Sequence, residues 1–188
     1  MGSEMCIRDR TKELWRAAGL PTPNWQVLEL GQVNSADGRA QLIAHLGLPL
    51  IIKPAHEGST LGLTKVLGED QIVAAFERAA ACDDTVLAEQ FIAGRELTVA
   101  LVGGTAVPGP VRADAPVHAL PVIEICAPDG NYDYQHKYFG DETRYLCPAP
   151  LPLAVDAQVR ALTEQAFRLL RCRGWGRCDV MLLSLIHI

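Results

Sequence analysis

No apolar run reaches the roughly 18–20 residues that a bilayer-crossing helix needs, so no membrane span is expected. Met1–Arg10 holds no apolar core of a secretory leader, so export is not expected either. The six cysteines stand at 6, 82, 126, 147, 172 and 178, and none forms a C-x-x-C pair. That excludes a zinc knuckle and a redox motif. Cys82, Cys126 and Cys172 lie in apolar segments and read as small core residues with reduced thiols, which suits a cytoplasmic protein. The five histidines show no H-x-x-x-H pattern, so no metal site is expected from them. Net charge is −5, which argues against a nucleic-acid surface. There is no internal repeat, no low-complexity tract and no G-x-x-x-x-G-K-[ST] phosphate loop.

What remains is an ordinary water-soluble composition, 49% hydrophobic and 21% charged, over 188 residues. That length suffices for one or two small domains with real cores. Helical patterns occupy Thr11–Ala18, Asp37–Leu46, Asp70–Ala81 and Leu153–Leu170. Ile72, Val73, Phe76 and Ala80 share one face of the third. Strand patterns occupy Trp25–Leu30, Leu50–Lys53, Leu63–Leu67, Val86–Ile92, Glu96–Val102, Ala119–Cys126 and Gly176–Leu182. The segments Gly103–His118 and Pro128–Pro148 read as long loops. This order of helices and short strands predicts an α+β fold.

The stretch Leu50–Gly62 is the most informative. A buried strand ends in Lys53, and a loop with Gly58, Ser59, Thr60 and Gly62 follows. Glycine lets a backbone approach a ligand, and exposed N–H groups and hydroxyls suit phosphate oxygens. A plain Gly/Ser turn between strands is the equal alternative. Three further segments carry polar groups in telling places. They are Val86–Glu96, with Glu89, Gln90, Ile92 and Glu96; Tyr132–Tyr138, with Lys137; and Gly174–Val180. Arg177 and Asp179 flank Cys178 on a strand and so share a sheet face. They make either a simple ion pair or a divided chemical site. Glu96 alone reads as a surface charge on an edge strand, and Glu57 as a turn carboxylate or a loop-ordering one.

Taken together, LWRAAGLPTP, KPAHEGSTLG, YDYQHKY and GWGRCDVML resemble the D-alanine–D-alanine ligase family of the ATP-grasp superfamily, from about Thr11 to Leu182. The resemblance implies an ATP-grasp fold with mostly antiparallel sheets. It divides the chain into a central subdomain at 11–88 and part of a C-terminal subdomain at 89–182, with a lid loop at 128–148. Lys53 resembles the lysine that contacts the ATP α- and β-phosphates. Glu57, Gly58, Ser59 and Thr60 form the glycine loop, in which Ser59 positions substrate in a hydrogen-bonded group with Tyr138. Glu89, and the backbone of Gln90 and Ile92, face adenine, and Glu96 binds the ribose hydroxyls. Many relatives carry lysine where this chain has Gln90, a swap that a backbone contact tolerates. Lys137 in the lid approaches the γ-phosphate. Asp179 is a magnesium (or manganese) ligand, and Arg177 stabilises the negative charge of a tetrahedral intermediate.

The implied reaction is ATP-dependent phosphorylation of one D-alanine, then attack by the amine of a second. It releases phosphate and yields D-alanyl-D-alanine for peptidoglycan. A lid that excludes water would protect the acyl phosphate. Tyr138 favours the dipeptide over a D-alanine–D-lactate ester. The alternatives are another ATP-grasp carboxylate–amine ligase and a nucleotide-binding module without catalysis. Residues 1–10 and 183–188 resemble adapter-derived sequence and are set aside. On this reading an N-terminal substrate domain and later Glu and Asn metal ligands are missing, so the chain alone is expected to be inactive. The lysine that the family places ahead of the first helix falls at Arg8. The full-length protein is expected to be a homodimer that uses D-alanine and ATP, with no nucleic-acid or membrane partner. The stretch Thr105–His118 reads as a tolerated surface insertion.

Overall fold

The computed structural model describes residues 8–57, 61–103, 116–126 and 143–183. They divide into two units. The first takes the described residues up to Arg16 and Pro21–Ile92; the second takes Ala17–Leu20 and the described residues from Ala93 on. Glu89 and Gln90, just past the sequence-drawn boundary at residue 88, therefore sit with the first.

The first unit contains helix α1 (Arg8–Ala17), strand β1 (Trp25–Leu28), the short helix α2 (Leu30–Asn34) and α3 (Ala36–Leu46). Strands β2 (Leu50–Pro54) and β3 (Thr64–Val66) follow, then α4 (Ile72–Ala80) and β4 (Val86–Gln90). The four strands form an antiparallel sheet in the order β1-β4-β2-β3. Alternation along β2 sorts its side chains. Leu50 and Ile52 are buried on one face among Val66, Val86, Ala88 and residues of α3 and α4. Ile51 and Lys53 turn to the other face, which Glu89 shares because it pairs with Ile51.

Ser35 caps α3, its hydroxyl accepting the Gly38 N–H at 3.4 Å, and Gly47 ends the helix at φ 76°. Gly38 has a steric reason as well: a Cβ there would stand 2.3 Å from the Gln32 carbonyl oxygen. Gly38→Ala must therefore push α2 off α3. It is expected to cost about 1–3 kcal/mol, read as a lowered midpoint in thermal or urea unfolding. An unchanged midpoint would contradict this packing.

The second unit is built on β5 (Gly94–Gly103), with β6 (Val117–Ala119), β7 (Ile123–Cys126), β8 (Arg144–Leu146), helix α5 (Leu153–Leu169) and β9 (Gly174–Leu183). Strand β5 pairs with β6 and β7 along one edge and with all of β9 along the other. Glu96 therefore lies on an interior strand and not on the edge strand expected from sequence. Leu97, Val99 and Leu101 point to the core with Val159 and Phe167 of α5. Helix α5 also satisfies the outer backbone of β6. Arg160 donates to the Ala119 carbonyl at 2.7 Å, and Glu164 accepts the Ala119 N–H at 3.0 Å. Arg95 grips Glu124 with two bonds of 2.7 and 2.6 Å and reaches the Pro150 carbonyl at 3.2 Å.

Several elements differ from expectation. The single strand expected at Ala119–Cys126 is split into β6 and β7, with Pro121, which has no N–H for a ladder, between them. Strand β8 lies inside the 128–148 stretch read as loop. No helix among the described residues is long and apolar enough to cross a membrane.

Candidate functional site

The chemistry of the first unit converges on Glu89, near the end of β4. Its side chain is 14% exposed and lies between two lysines. Lys53 of β2 brings its ammonium to 2.5 Å of Oε2, and Lys12 of α1 brings its own to 3.4 Å of Oε1. Lys12 is anchored by Thr22 Oγ1 at 3.0 Å and the Pro23 carbonyl at 3.4 Å. Glu89 Oε2 is wholly buried against the Lys53 ammonium.

Burial by itself would push the Glu89 carboxyl up. The ammoniums of Lys53 and then Lys12 outweigh it and hold the group below the ordinary glutamate value. Burial pulls the Lys12 ammonium below the usual lysine range; Glu89 opposes that and Lys53 adds to it. Two lysines and one carboxylate leave one surplus positive charge in a largely dehydrated pocket. Such a pocket favours an anion.

Sequence reasoning missed Lys12. The structure puts it beside Lys53 and Glu89 from within α1. Only its pairing with a distant carboxylate marks it out, and a lysine in a helix gives no such signal locally. Arg16, one turn on, lies over the Trp25 ring at 5.6 Å, which helps seat α1.

The chain leaving β2 is tied down at once. Ala55 N–H donates to the Thr85 carbonyl at 2.9 Å, and His56 N–H donates to Asp83 Oδ2 at 2.6 Å. Glu57 is half-buried next to them. Gly58, Ser59 and Thr60 lie outside the described residues, as do Lys137 and Tyr138. At the end of β4, the Gln90 N–H is engaged by the Asn24 carbonyl at 2.9 Å. Ile92 is half-buried. The Lys65 ammonium lies 3.9 Å from the centre of the Phe91 ring.

The second unit presents its groups on the sheet face away from α5. Register places Glu96 opposite Met181, Thr98 opposite Asp179 and Ala100 opposite Arg177. Thr98 Oγ1 donates to Asp179 Oδ1 at 2.7 Å, and Arg177 Nε lies 3.0 Å from the same oxygen. Arg177 and Asp179 thus share a face, as alternation predicted, and form an ion pair. At 67% and 52% exposure that pair contributes little stability. Its value is to aim Asp179.

Among the described residues, no three His, Cys, Asp or Glu side chains cluster to hold a metal. Asp179 does not belong to an enclosed cage such as that of structural zinc. Both oxygens of this one carboxylate are engaged by Arg177, so alone it is a poor magnesium site and would hold the ion only with oxygens from other groups.

The depressed carboxyls give a pH prediction. Glu89, Asp83 and Glu124 all release protons more readily folded than their ordinary values of 4.5, 3.8 and 4.5 allow. Their stabilising contribution is present above those values and is lost as pH falls through the lower folded ones. Thermal midpoints should hold at neutral pH and drop steeply below about pH 4. Glu89→Gln should flatten that slope, and an unchanged slope would refute the assignment.

A family model described as D-ala D-ala ligase C-terminus matches residues 14–186. The D-alanine–D-alanine ligase of Bordetella petrii is 54% identical, the match covering 92% of this chain and 48% of that protein. That of Cupriavidus metallidurans is 53% identical over 93% and 49%. Among solved structures, the VanG D-Ala:D-Ser ligase of Enterococcus faecalis superposes with a TM-score of 0.77 at 27% identity, covering 95% of this chain and 49% of that one. D-alanyl-alanine synthetase A of Vibrio cholerae gives 0.74 at 25% identity, covering 95% and 52%. The chain spans about half the length of the curated relatives that it matches.

Proposed function

Since this chain belongs to the D-alanine–D-alanine ligase C-terminal family and has the ATP-grasp fold of its solved neighbours, we propose that it is the nucleotide-binding part of an ATP-dependent D-alanine–D-alanine ligase. The product is D-alanyl-D-alanine for peptidoglycan, made through an acyl phosphate in the cytoplasm. The observation that carries this reading is the buried Lys12–Glu89–Lys53 group with its surplus positive charge.

In this reading the first unit is the central subdomain. Lys53 neutralises phosphate oxygens, Lys12 adds positive charge behind it, and Glu89 holds both ammoniums in place. The Glu89 carboxylate or a backbone carbonyl beside it accepts from the adenine amino group, with backbone groups of Gln90 and Ile92 nearby. Glu57, Gly58, Ser59 and Thr60 supply the loop over the phosphates. The second unit is the C-terminal subdomain: Glu96 takes the ribose hydroxyls, Asp179 holds magnesium or manganese, and Arg177 meets developing negative charge. When bound, the metal would neutralise phosphate charge and orient the transferring group. Thr98 aims Asp179, while Lys137 and Tyr138 act from the lid. The working assembly is a homodimer of the longer protein.

The test is a phosphate-release assay with ATP, magnesium and D-alanine. It is run on this chain and on a chimera supplying the half of the relatives' length that it does not span. Release that depends on D-alanine and yields the dipeptide supports the proposal. ATP turnover indifferent to D-alanine overturns it. The likeness to a D-Ala:D-Ser ligase favours one second reading, a different acceptor. D-serine incorporated in preference to a second D-alanine would establish it.

A further inference from the structure

We propose that Asp83 is a positioning residue for the phosphate end of the first unit, acting through the strand end that carries Lys53. This rests on the reading of Lys53 as a phosphate contact.

Asp83 lies in the turn between α4 and β4, with a side chain only 8% exposed. Its Oδ1 accepts the Thr85 N–H at 3.0 Å, which alone would make it a turn-former. Its other contacts go elsewhere. Oδ2 accepts the His56 N–H at 2.6 Å, and the two oxygens lie 3.0 and 2.9 Å from His56 Nδ1. The ring of His56 is half exposed, whereas the carboxylate that holds it is buried.

The location explains why such a clamp is needed. The pairing of β2 with β4 ends at Pro54 opposite Val86, immediately after Lys53 opposite Leu87. Strand β2 stops there, one residue beyond the functional lysine. Ala55 continues the alternate rungs of the ladder by donating to the Thr85 carbonyl, and Asp83 extends the attachment to His56. The same segment steadies the returning chain. A Cβ on Gly62 would stand 3.2 Å from both Cys82 Sγ and Pro54 Cδ, so Gly62, at φ +67°, packs directly against the residue before Asp83. Arg78 donates to Thr64 Oγ1 at 2.9 Å. Residues 78–85 thus hold both 53–57 and 61–64. An ammonium displaced by about an ångström loses much of its effect on a phosphate.

Asp83→Ala and Asp83→Asn in the 188-residue chain test this. ATP and adenosine affinities are measured by calorimetry with magnesium, beside amide exchange at His56 and the unfolding midpoint. In Asp83→Ala, the His56 amide should exchange about tenfold faster and ATP should bind about tenfold more weakly, with adenosine affinity unchanged. Asp83→Asn keeps one acceptor oxygen and should fall between the two. Equal weakening of ATP and adenosine with a lowered midpoint would make Asp83 a general structural residue and overturn the proposal. ATP affinity indifferent to both substitutions would overturn it alone. Failure of the unaltered chain to bind ATP would overturn the role of Lys53, and this proposal with it.

Discussion

Glu89→Gln is expected to destabilise the first unit by roughly 3–5 kcal/mol, the largest effect of any single substitution considered for this chain. The change is nearly isosteric, so packing is not the cause. It removes the only negative charge between two ammoniums whose side chains are 9% and 15% exposed. Two like charges then face each other in a pocket with little water to separate them. Lys12 bears most of the strain, because burial already disfavours its charge and Glu89 is what sustains it. Chemical denaturation should show a lower midpoint with an unchanged slope. Adding Lys12→Met should restore part of the loss, since the pocket then carries one charge in place of two. Additive costs from the two substitutions would contradict the coupling.

Lys53→Met is expected to do the opposite: leave the fold nearly intact and remove most of the anion affinity. The remaining Lys12–Glu89 pair is neutral, so the pocket keeps its internal balance and loses its surplus. A hydrogen bond to a charged phosphate oxygen contributes about 1.5–3 kcal/mol, so ATP and inorganic tripolyphosphate should bind roughly 10–150-fold more weakly. Adenosine should be far less affected. Tripolyphosphate is the sharper probe, because it reports charge without the base. Equal losses for adenosine and tripolyphosphate would show that Lys53 acts on the fold and not on phosphate. Together the two substitutions separate charge count from structure: one raises the surplus at the expense of stability, the other cancels it.

The lysine in this second experiment was visible in the sequence, and the one in the first was not. Lys53 ends an apolar strand ahead of a glycine loop, a local arrangement with a chemical rationale. Lys12 lies in an ordinary amphipathic helix; its burial depends on Glu89, far along the chain. Asp83 is hidden for the same reason, since its partner His56 comes from the bend after β2, far back along the chain. Fold class and the longer elements were legible because periodicity is local: Ile72 and Phe76 are buried as read, although Ala75 and Ala79 complete the buried set, while Val73 is half-buried and Ala80 exposed. Strand β3 was legible too, within Leu63–Leu67, whereas β8 was not. Arg144–Leu146 has no apolar alternation of its own and becomes a strand through its pairing with β7. That Glu96 stands on an interior strand was not legible, because sequence gives the alternation of a strand but not its neighbours. All three strands beside β5 come from later in the chain.

That last point bears on how the protein is made. The Thr98–Asp179 hydrogen bond joins residues 81 apart, and every rung between β5 and β9 spans a comparable distance. A ribosome adding ~5–20 residues per second delivers Asp179 on the order of 4–16 s after Thr98. For that interval β5 has no β9 beside it, and the Glu96 face has neither its arginine nor its second carboxylate. The first unit waits for nothing beyond β4, whose pairing with β1 and β2 can be complete before β5 is made. The Lys12–Glu89–Lys53 group can therefore form on a nascent chain that is still waiting for Arg177 and Asp179.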